Sequence, residues 1–214
     1  MEPDALLWDL DGTLVDGAAA IHDAFEHALR VTDMPPVPRA KVAGMIGAPL
    51  RLMFRELCQV DDDDAARLVR AYRARFEEVA PALVKPTVGA QEALDAFAGK
   101  PMAIVTTKAV EPARTVLRAL GFEDRFRAVV GVDTVRRPKP DPEGVRVALA
   151  RLGVGASRSV FVGDTIMDVL AGRAAGARTV ALTGGHGDPG ELAAAQPDAL
   201  IPDLTLLASA VKTL

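Results

Sequence analysis

The chain has 214 residues and a formal net charge of -4, with half of its residues hydrophobic and a quarter charged. That length suffices for one large core, or for a core with a small accessory unit. The acidic balance excludes a general nucleic-acid binder, whose phosphate contacts need clustered Lys and Arg. A single cysteine, Cys58, excludes an internal disulfide, fits a reducing compartment, and reads in LCQV as a small packed apolar residue. MEPDALLW lacks the basic region and apolar stretch of a signal peptide, and no segment approaches the roughly 18 apolar residues of a membrane span. A cytoplasmic protein without a membrane partner is expected.

Ala5 to Trp8 form a short apolar run that predicts a fully buried strand, ending abruptly at Asp9 and Asp11 before Gly12 and Thr13. Two carboxylates at i and i+2 beyond a buried strand repel each other and lose hydration, which favours a divalent cation between them. For an isolated Asp-Gly pair a plain turn would be the better reading. A second acidic cluster, Gly163-Asp164-Thr165-Ile166-Met167-Asp168, follows another apolar run at 159–162 and points to one shared cation.

After Asp16 the period becomes helical. Ile21, Phe25 and Leu29 recur every four residues, and His22 and His27 lie on other faces with no Cys or further His at metal spacing, so both read as solvated. Pro35, Pro36 and Pro38 break this helix. A short helix is predicted from Arg39 to Met45, and Pro49 suits the first turn of a third containing Leu52, Met53 and Leu57. Asp61 to Asp64 read as the N-cap and first turn of the next helix, predicted to bury Ala65, Leu68, Tyr72, Phe76 and Val79 and to hold Arg67, Arg70, Arg73 and Arg75 on a solvated face.

From Pro86 onward, apolar runs near 101–106, 128–132, 159–163, 178–183 and 199–201 alternate with helical stretches, which predicts βαβ units and a mainly parallel sheet. The expected fold is therefore α/β: a doubly wound core of residues 1–16 and 83–214, with a small all-helical unit, 17–82, inserted after the first strand. The joins near Asp16 and 82–87 are the expected hinges. Gly185-His-Gly187-Asp-Pro-Gly190 has the GxGxxG form, but too little chain follows it for a dinucleotide-binding βαβ unit. It reads as a turn leading into a helix, with His186 near the crevice.

Asp9-Leu-Asp11-Gly12-Thr13, Thr106 in AIVTTK, Lys139 in RPKPDP and Gly163 to Asp168 resemble, in order, spacing and strand-end context, the four motifs of the haloacid dehalogenase-like hydrolase superfamily. The chain is most similar to its phosphoglycolate phosphatase and beta-phosphoglucomutase branch, which carries a helical cap. The resemblance covers nearly the whole chain, strongly in the core and weakly between Gly17 and Ala82. It implies a Rossmann-like core and a Mg²⁺-dependent phosphatase of a small phosphorylated metabolite, phosphoglycolate-like or a sugar phosphate, acting through an aspartyl-phosphate.

The same resemblance implies Asp9 as nucleophile and Asp11 as the acid that protonates the leaving oxygen and then activates water. It implies a magnesium ion held by Asp9, the backbone carbonyl of Asp11, and Asp164. Thr106 and Lys139 would hold phosphoryl oxygens, and Asp168 would orient a metal water or Lys139. Thr107, on the substrate side, stands where this branch often carries Asn. Lys108 also follows a strand, but the motif points to Lys139 and leaves Lys108 as a surface or rim cation. Gly47, Ala48, Pro49 and Arg51 form the loop expected to face the site, with Arg51 offered to a substrate carboxylate. Four carboxylates sum to about -4 against about +3 from Mg²⁺ and Lys139, so protonation of one carboxyl is favoured, and Asp11 is the natural carrier.

Other readings stay open. A phosphomutase would return the phosphoryl group to a second hydroxyl, although Thr13, where mutases often have Val, leans towards the phosphatase. A receiver-type phospho-acceptor module also combines acids, Thr and Lys on a doubly wound sheet, but it needs a much shorter chain and places its phosphorylated Asp after a middle strand. A dehalogenase needs no magnesium and typically lacks the second Asp. The natural substrate, and whether the chain is a monomer or homodimer, are not legible in the sequence.

Overall fold

The computed structural model describes residues 2–214. In chain order the elements are β1 (Ala5–Trp8), β2 (Val15–Asp16), α1 (Ala18–Val31), α2 (Arg39–Ala43), α3 (Leu50–Cys58), α4 (Asp62–Leu83), β3 (Lys85–Pro86), α5 (Ala90–Ala96) and β4 (Met102–Val105). There follow α6 (Val110–Ala119), β5 (Ala128–Val130), α7 (Glu143–Leu152), β6 (Ser159–Gly163), α8 (Ile166–Ala175), β7 (Arg178–Leu182), α9 (Pro189–Ala194), β8 (Ala199–Ile201) and α10 (Leu207–Thr213). Each predicted strand forms, to within a residue or two at its ends.

Six of the strands make one parallel sheet in the order β5-β4-β1-β6-β7-β8. β1 occupies the interior of the sheet because it is apolar on both faces: Leu6 and Trp8 face one layer, Ala5 and Leu7 the other. The first layer is supplied by Leu94 of α5, Val116 and Leu117 of α6, Leu207 of α10 and the helices α1 to α4. The second comes from Val145, Ala148 and Leu149 of α7 and Ala171 of α8. The chain runs outward from β1 to β4 and β5, then crosses through α7 to β6 on the other flank. The carboxyl ends of β1, β4 and β6 thus border the crevice where an open α/β sheet binds ligands.

Helices α1 to α4 pack around an aromatic stack. Phe25 and Phe54 lie 4.3 Å apart and nearly parallel, Tyr72 meets Phe54 edge-on at 6.2 Å, and Tyr72 stacks on Phe76 at 5.6 Å. On α3 the stack sets the buried face: Met53 and Phe54 are buried, whereas Leu52 is 42% exposed. Along α4 the buried face continues through Ala80 instead of Val79, four residues after Phe76. Pro49 is the N-cap of α3, not a first-turn residue, and α2 ends at Ala43. The acid run behaves as expected: the Asp61 carboxylate accepts from the N–H groups of Asp63 and Asp64, each at 3.0 Å. Arg75 of α4 pairs with Asp23 of α1 at 2.6 Å, and α4 also contacts α6.

The two chain crossings between sheet and helices are bound to each other, a feature absent from the sequence reading. β2 and β3 pair antiparallel, Val15 opposite Pro86 and Asp16 opposite Lys85, and the Thr87 hydroxyl donates to the Thr13 carbonyl at 2.6 Å. Among the described residues, no helix is long and apolar enough to cross a membrane.

Candidate active site

Each strand end that borders the crevice delivers one polar group. Asp9 follows β1, its N–H donating to the Val162 carbonyl of β6 at 2.8 Å, and Thr106 follows β4, its N–H donating to the Val130 carbonyl at 3.0 Å. Asp164 follows β6, Lys139 comes from the segment between β5 and α7, and Asp168 lies in the first turn of α8. All five side chains are buried. One carboxylate oxygen from each of Asp9, Asp164 and Asp168 lies within 4.8 Å of the others.

Lys139 Nζ stands 2.8 Å from Asp9 Oδ1 and 2.5 Å from Asp168 Oδ1. Asp168 is used on both oxygens, because its Oδ2 accepts from the Thr165 N–H at 3.0 Å and hydroxyl at 2.7 Å and closes a capping box on α8. Lys139 meets Asp9 as an ion pair, and Asp9 Oδ1 has no hydrogen-bond partner among the described residues.

Three buried carboxylates against one ammonium leave about two negative charges uncompensated. Burial raises the Asp9 carboxyl well above its ordinary range; Lys139 pulls against this, while the charges of Asp168 and Asp164 add to it. Burial, then the charge of Asp168, pushes Asp164 up to about 6, against hydrogen bonds from the His186 N–H at 2.8 Å and the Thr13 hydroxyl at 2.7 Å. For Lys139, burial favours the neutral amine, but Asp168 and Asp9 outweigh it and hold the ammonium above the ordinary lysine range. Hard oxygen donors with excess negative charge fit a divalent cation of the magnesium type. The backbone leaves space beside them. A Cβ on Gly12 (φ +81°) or on Gly185 would fall on the Asp164 carboxylate, and one on Gly187 on its carbonyl oxygen. The Gly185-His-Gly187 stretch thus serves as a close wall of this cluster, and Asp188 caps the start of α9 directly after it.

A pH dependence follows. The folded-state value of about 6 for Asp164 lies above the ordinary 3.8, so the native state holds this proton more tightly than the unfolded chain. The corresponding stability is complete below pH 4 and lost as pH rises through about 6. In chelator, the difference in unfolding free energy between the wild type and Asp164→Asn should change in that window, and added Mg²⁺ should raise Tm more near pH 7.5 than near pH 4. Parallel pH profiles for the two proteins would show that Asp164 is not the titrating group.

Asp11 faces the other way. Its Oδ2 is 3.0 Å from Lys108 Nζ, its Oδ1 is buried with no partner among the described residues, and it lines a cavity of about 440 Å³ with Gly47, Arg51, Tyr72 and Thr107. Lys108 overturns the surface reading. Its side chain is 11% exposed, and Nζ sits 4.5 Å from the centre of the Phe76 ring. Two residues beyond Thr106, it is turned inward by the pairing with Asp11. Thr107, despite replacing Asn, is bonded: its hydroxyl donates to the Gly47 carbonyl at 2.8 Å and joins the sheet's loop to the helical layer. Arg51 is partly diverted from the role expected of it. It donates to the Asp62 carbonyl at 3.0 Å and pairs with Asp62 Oδ2 at 3.2 Å, drawn there by the acids that open α4. Tyr72, Arg70 and Arg73 also line this cavity, though nothing in the sequence singled them out for it. Burial raises the Tyr72 hydroxyl well above the ordinary phenol range, with the Asp11 charge adding.

Residues 6–182 match the haloacid dehalogenase-like hydrolase family. The chain is 37% identical to phosphoglycolate phosphatase of Rhodospirillum rubrum, over 86% of this chain and 81% of that one. It is 34% identical to N-acetylmuramic acid 6-phosphate phosphatase of Pseudomonas aeruginosa, over 86% and 84% of the two chains. Among solved structures it is similar to a hydrolase from Pseudomonas syringae, with a TM-score of 0.84, 27% identity and 98% of each chain covered. With its doubly wound sheet and the acidic cluster at the ends of β1 and β6, the chain belongs to the haloacid dehalogenase-like hydrolase family.

Proposed function

We propose that this protein is a Mg²⁺-dependent phosphatase of a small phosphorylated metabolite, working through an aspartyl-phosphate on Asp9. Residues 17–82 act as a cap over a core of 1–16 and 83–214. The observation that carries this reading is the convergence of Asp9, Asp164, Asp168 and Lys139 from separate segments into one buried, net negative cluster. The two phosphatase relatives act, by their names, on phosphoglycolate and on N-acetylmuramic acid 6-phosphate, which supports a small phosphorylated metabolite as the substrate of this chain.

Asp9, Asp164 and the backbone carbonyl of Asp11 would hold the ion, which when bound supplies positive charge to the phosphoryl oxygens. A carboxylate oxygen of Asp9 forms a bond to phosphorus as the bond to the ester oxygen breaks, and Asp11 gives that oxygen its proton. Asp11 then takes a proton from the water that attacks phospho-Asp9, and inorganic phosphate leaves. Lys139, held in place by Asp168, and Thr106 neutralise and orient the phosphoryl oxygens throughout.

A panel of phosphorylated metabolites assayed for phosphate release tests the reading. Continuous release in Mg²⁺, stopped by chelator, is expected. Phosphorylation of one equivalent without turnover would mark a phospho-acceptor module instead, and transfer to a second hydroxyl without release would mark a mutase.

A further inference from the structure

Helix α4 carries Arg67, Arg70, Arg73 and Arg75, and they fall into two kinds. Arg67 pairs with Asp64 at 3.7 Å, and Arg75 pairs with Asp23 at 2.6 Å and Glu78 at 3.0 Å. Arg70 and Arg73 have no ion pair or hydrogen bond among the described residues, and these are the two that line the cavity shared with Asp11 and Lys108. Their i, i+3 spacing puts both guanidinium groups on one face, where like charges cost helix stability instead of adding to it. Arg51, the other arginine on this wall, is already paired with Asp62.

The rest of the wall is largely apolar, with Ile46, Leu50, Met53 and Val69. Tyr72, a residue 5% exposed, makes no hydrogen bond through its side chain among the described residues. At about 440 Å³ the cavity falls in the range of about 300–1,000 Å³ found for sites that enclose drug-sized ligands. Glycolate, a two-carbon acid, would leave most of it to water.

We infer that the preferred substrate is a phosphate ester whose leaving group is longer than glycolate, apolar along its body, and ends in a second anion held by Arg70 and Arg73. This rests on the phosphatase reading and narrows its substrate class. A carboxylate and a phosphate both match a pair of guanidinium forks. The apolar walls take the chain between the two charges, and the free Tyr72 hydroxyl meets a polar atom along it.

The test uses n-alkyl, ω-carboxyalkyl and ω-phosphonoalkyl phosphates of matched chain length, beside p-nitrophenyl phosphate. In the anionic series kcat/KM should climb beyond two carbons and exceed that of the matched neutral ester by about tenfold or more; the better anionic series identifies the second anion as carboxylate or phosphate. The double variant Arg70→Gln/Arg73→Gln should lower kcat/KM for the anionic esters about ten- to a hundredfold, mainly through KM, and for the neutral esters less than about threefold. Lys at both positions should restore part of the loss. Equal losses on neutral and anionic esters, or an optimum at two carbons, would overturn the inference and leave the phosphatase reading standing. Absence of phosphate release from every ester, p-nitrophenyl phosphate included, would overturn both.

Discussion

Exchanging Asp9 for Asn should lower kcat by at least about 10⁴-fold with the fold intact. An amide does not attack phosphorus and is a poor ligand for a hard cation. The surroundings make the exchange structurally mild. Lys139 loses one of its two anions but keeps Asp168 Oδ1 at 2.5 Å, so no buried ammonium is stranded. The substitution also removes a carboxylate, crowded by two others, whose own burial already favours its neutral form. The metal-free Tm should hold or rise, in contrast to Lys139→Ala, which leaves the whole carboxylate cluster without a counter-charge. Steady-state rates at saturating Mg²⁺, read beside thermal melts, check both halves. Activity within tenfold of wild type would remove Asp9 from the nucleophile's role.

Exchange of Asp11 for Asn should separate two kinds of ester. An alkyl leaving group departs as a basic alkoxide and needs a proton, whereas p-nitrophenolate is stable without one. Hydrolysis of alkyl phosphates should fall by about 10³-fold or more, while the first transfer from p-nitrophenyl phosphate survives. Water attack on the phosphoenzyme then lacks its base, so nitrophenol should appear as a burst of about one equivalent followed by a slow phase. The partner across the cavity remains: Lys108, freed from Asp11, still lies over the Phe76 ring, and the local structure should persist. Rapid-quench measurements on both substrates decide the matter. Equal loss of both first steps with no burst would make Asp11 a positioning residue.

The strands are legible in the sequence because buried parallel strands read as nearly continuous apolar runs, here closed off by an acid, a threonine, a glycine or, after β8, a proline. The cluster is legible for a related reason: Asp9 and Asp164 sit at strand ends and Asp168 in a first helical turn, where local pattern and position in space coincide, while Lys139 lies in the loop between β5 and α7 and is marked by its flanking prolines. What depends on side chains meeting across long separations is not. The β2–β3 ribbon has two residues per strand and is tied by a hydroxyl reaching from Thr87 to Thr13. The burial of Phe54 on α3 comes from its stacking on Phe25, which no periodicity within α3 encodes. Lys108 is readable in hindsight from its i+2 spacing beyond Thr106, but a lysine after a strand resembles a solvated one until Asp11 is seen opposite. Arg70 carries a partial signal, since no acid stands three or four residues from it on either side. Which way it faces is a tertiary fact.

The interior place of β1 also constrains how the molecule comes into being. Leu6 pairs with Met102 on one side and Val160 on the other, so during translation the strand bearing Asp9 and Asp11 leaves the ribosome long before either partner exists. Closing such long loops costs little equilibrium stability, because loop entropy grows only with the logarithm of length, but it slows folding. The contacts between α1 and α4 are shorter in range and can form earlier, while ALLW, four apolar residues, has no sheet to join. Only after Gly163 emerges do both edges arrive, and with them Asp164. A nascent chain released before that point would lack Asp164 and Asp168 beside Asp9, so the acidic cluster forms late and as a unit.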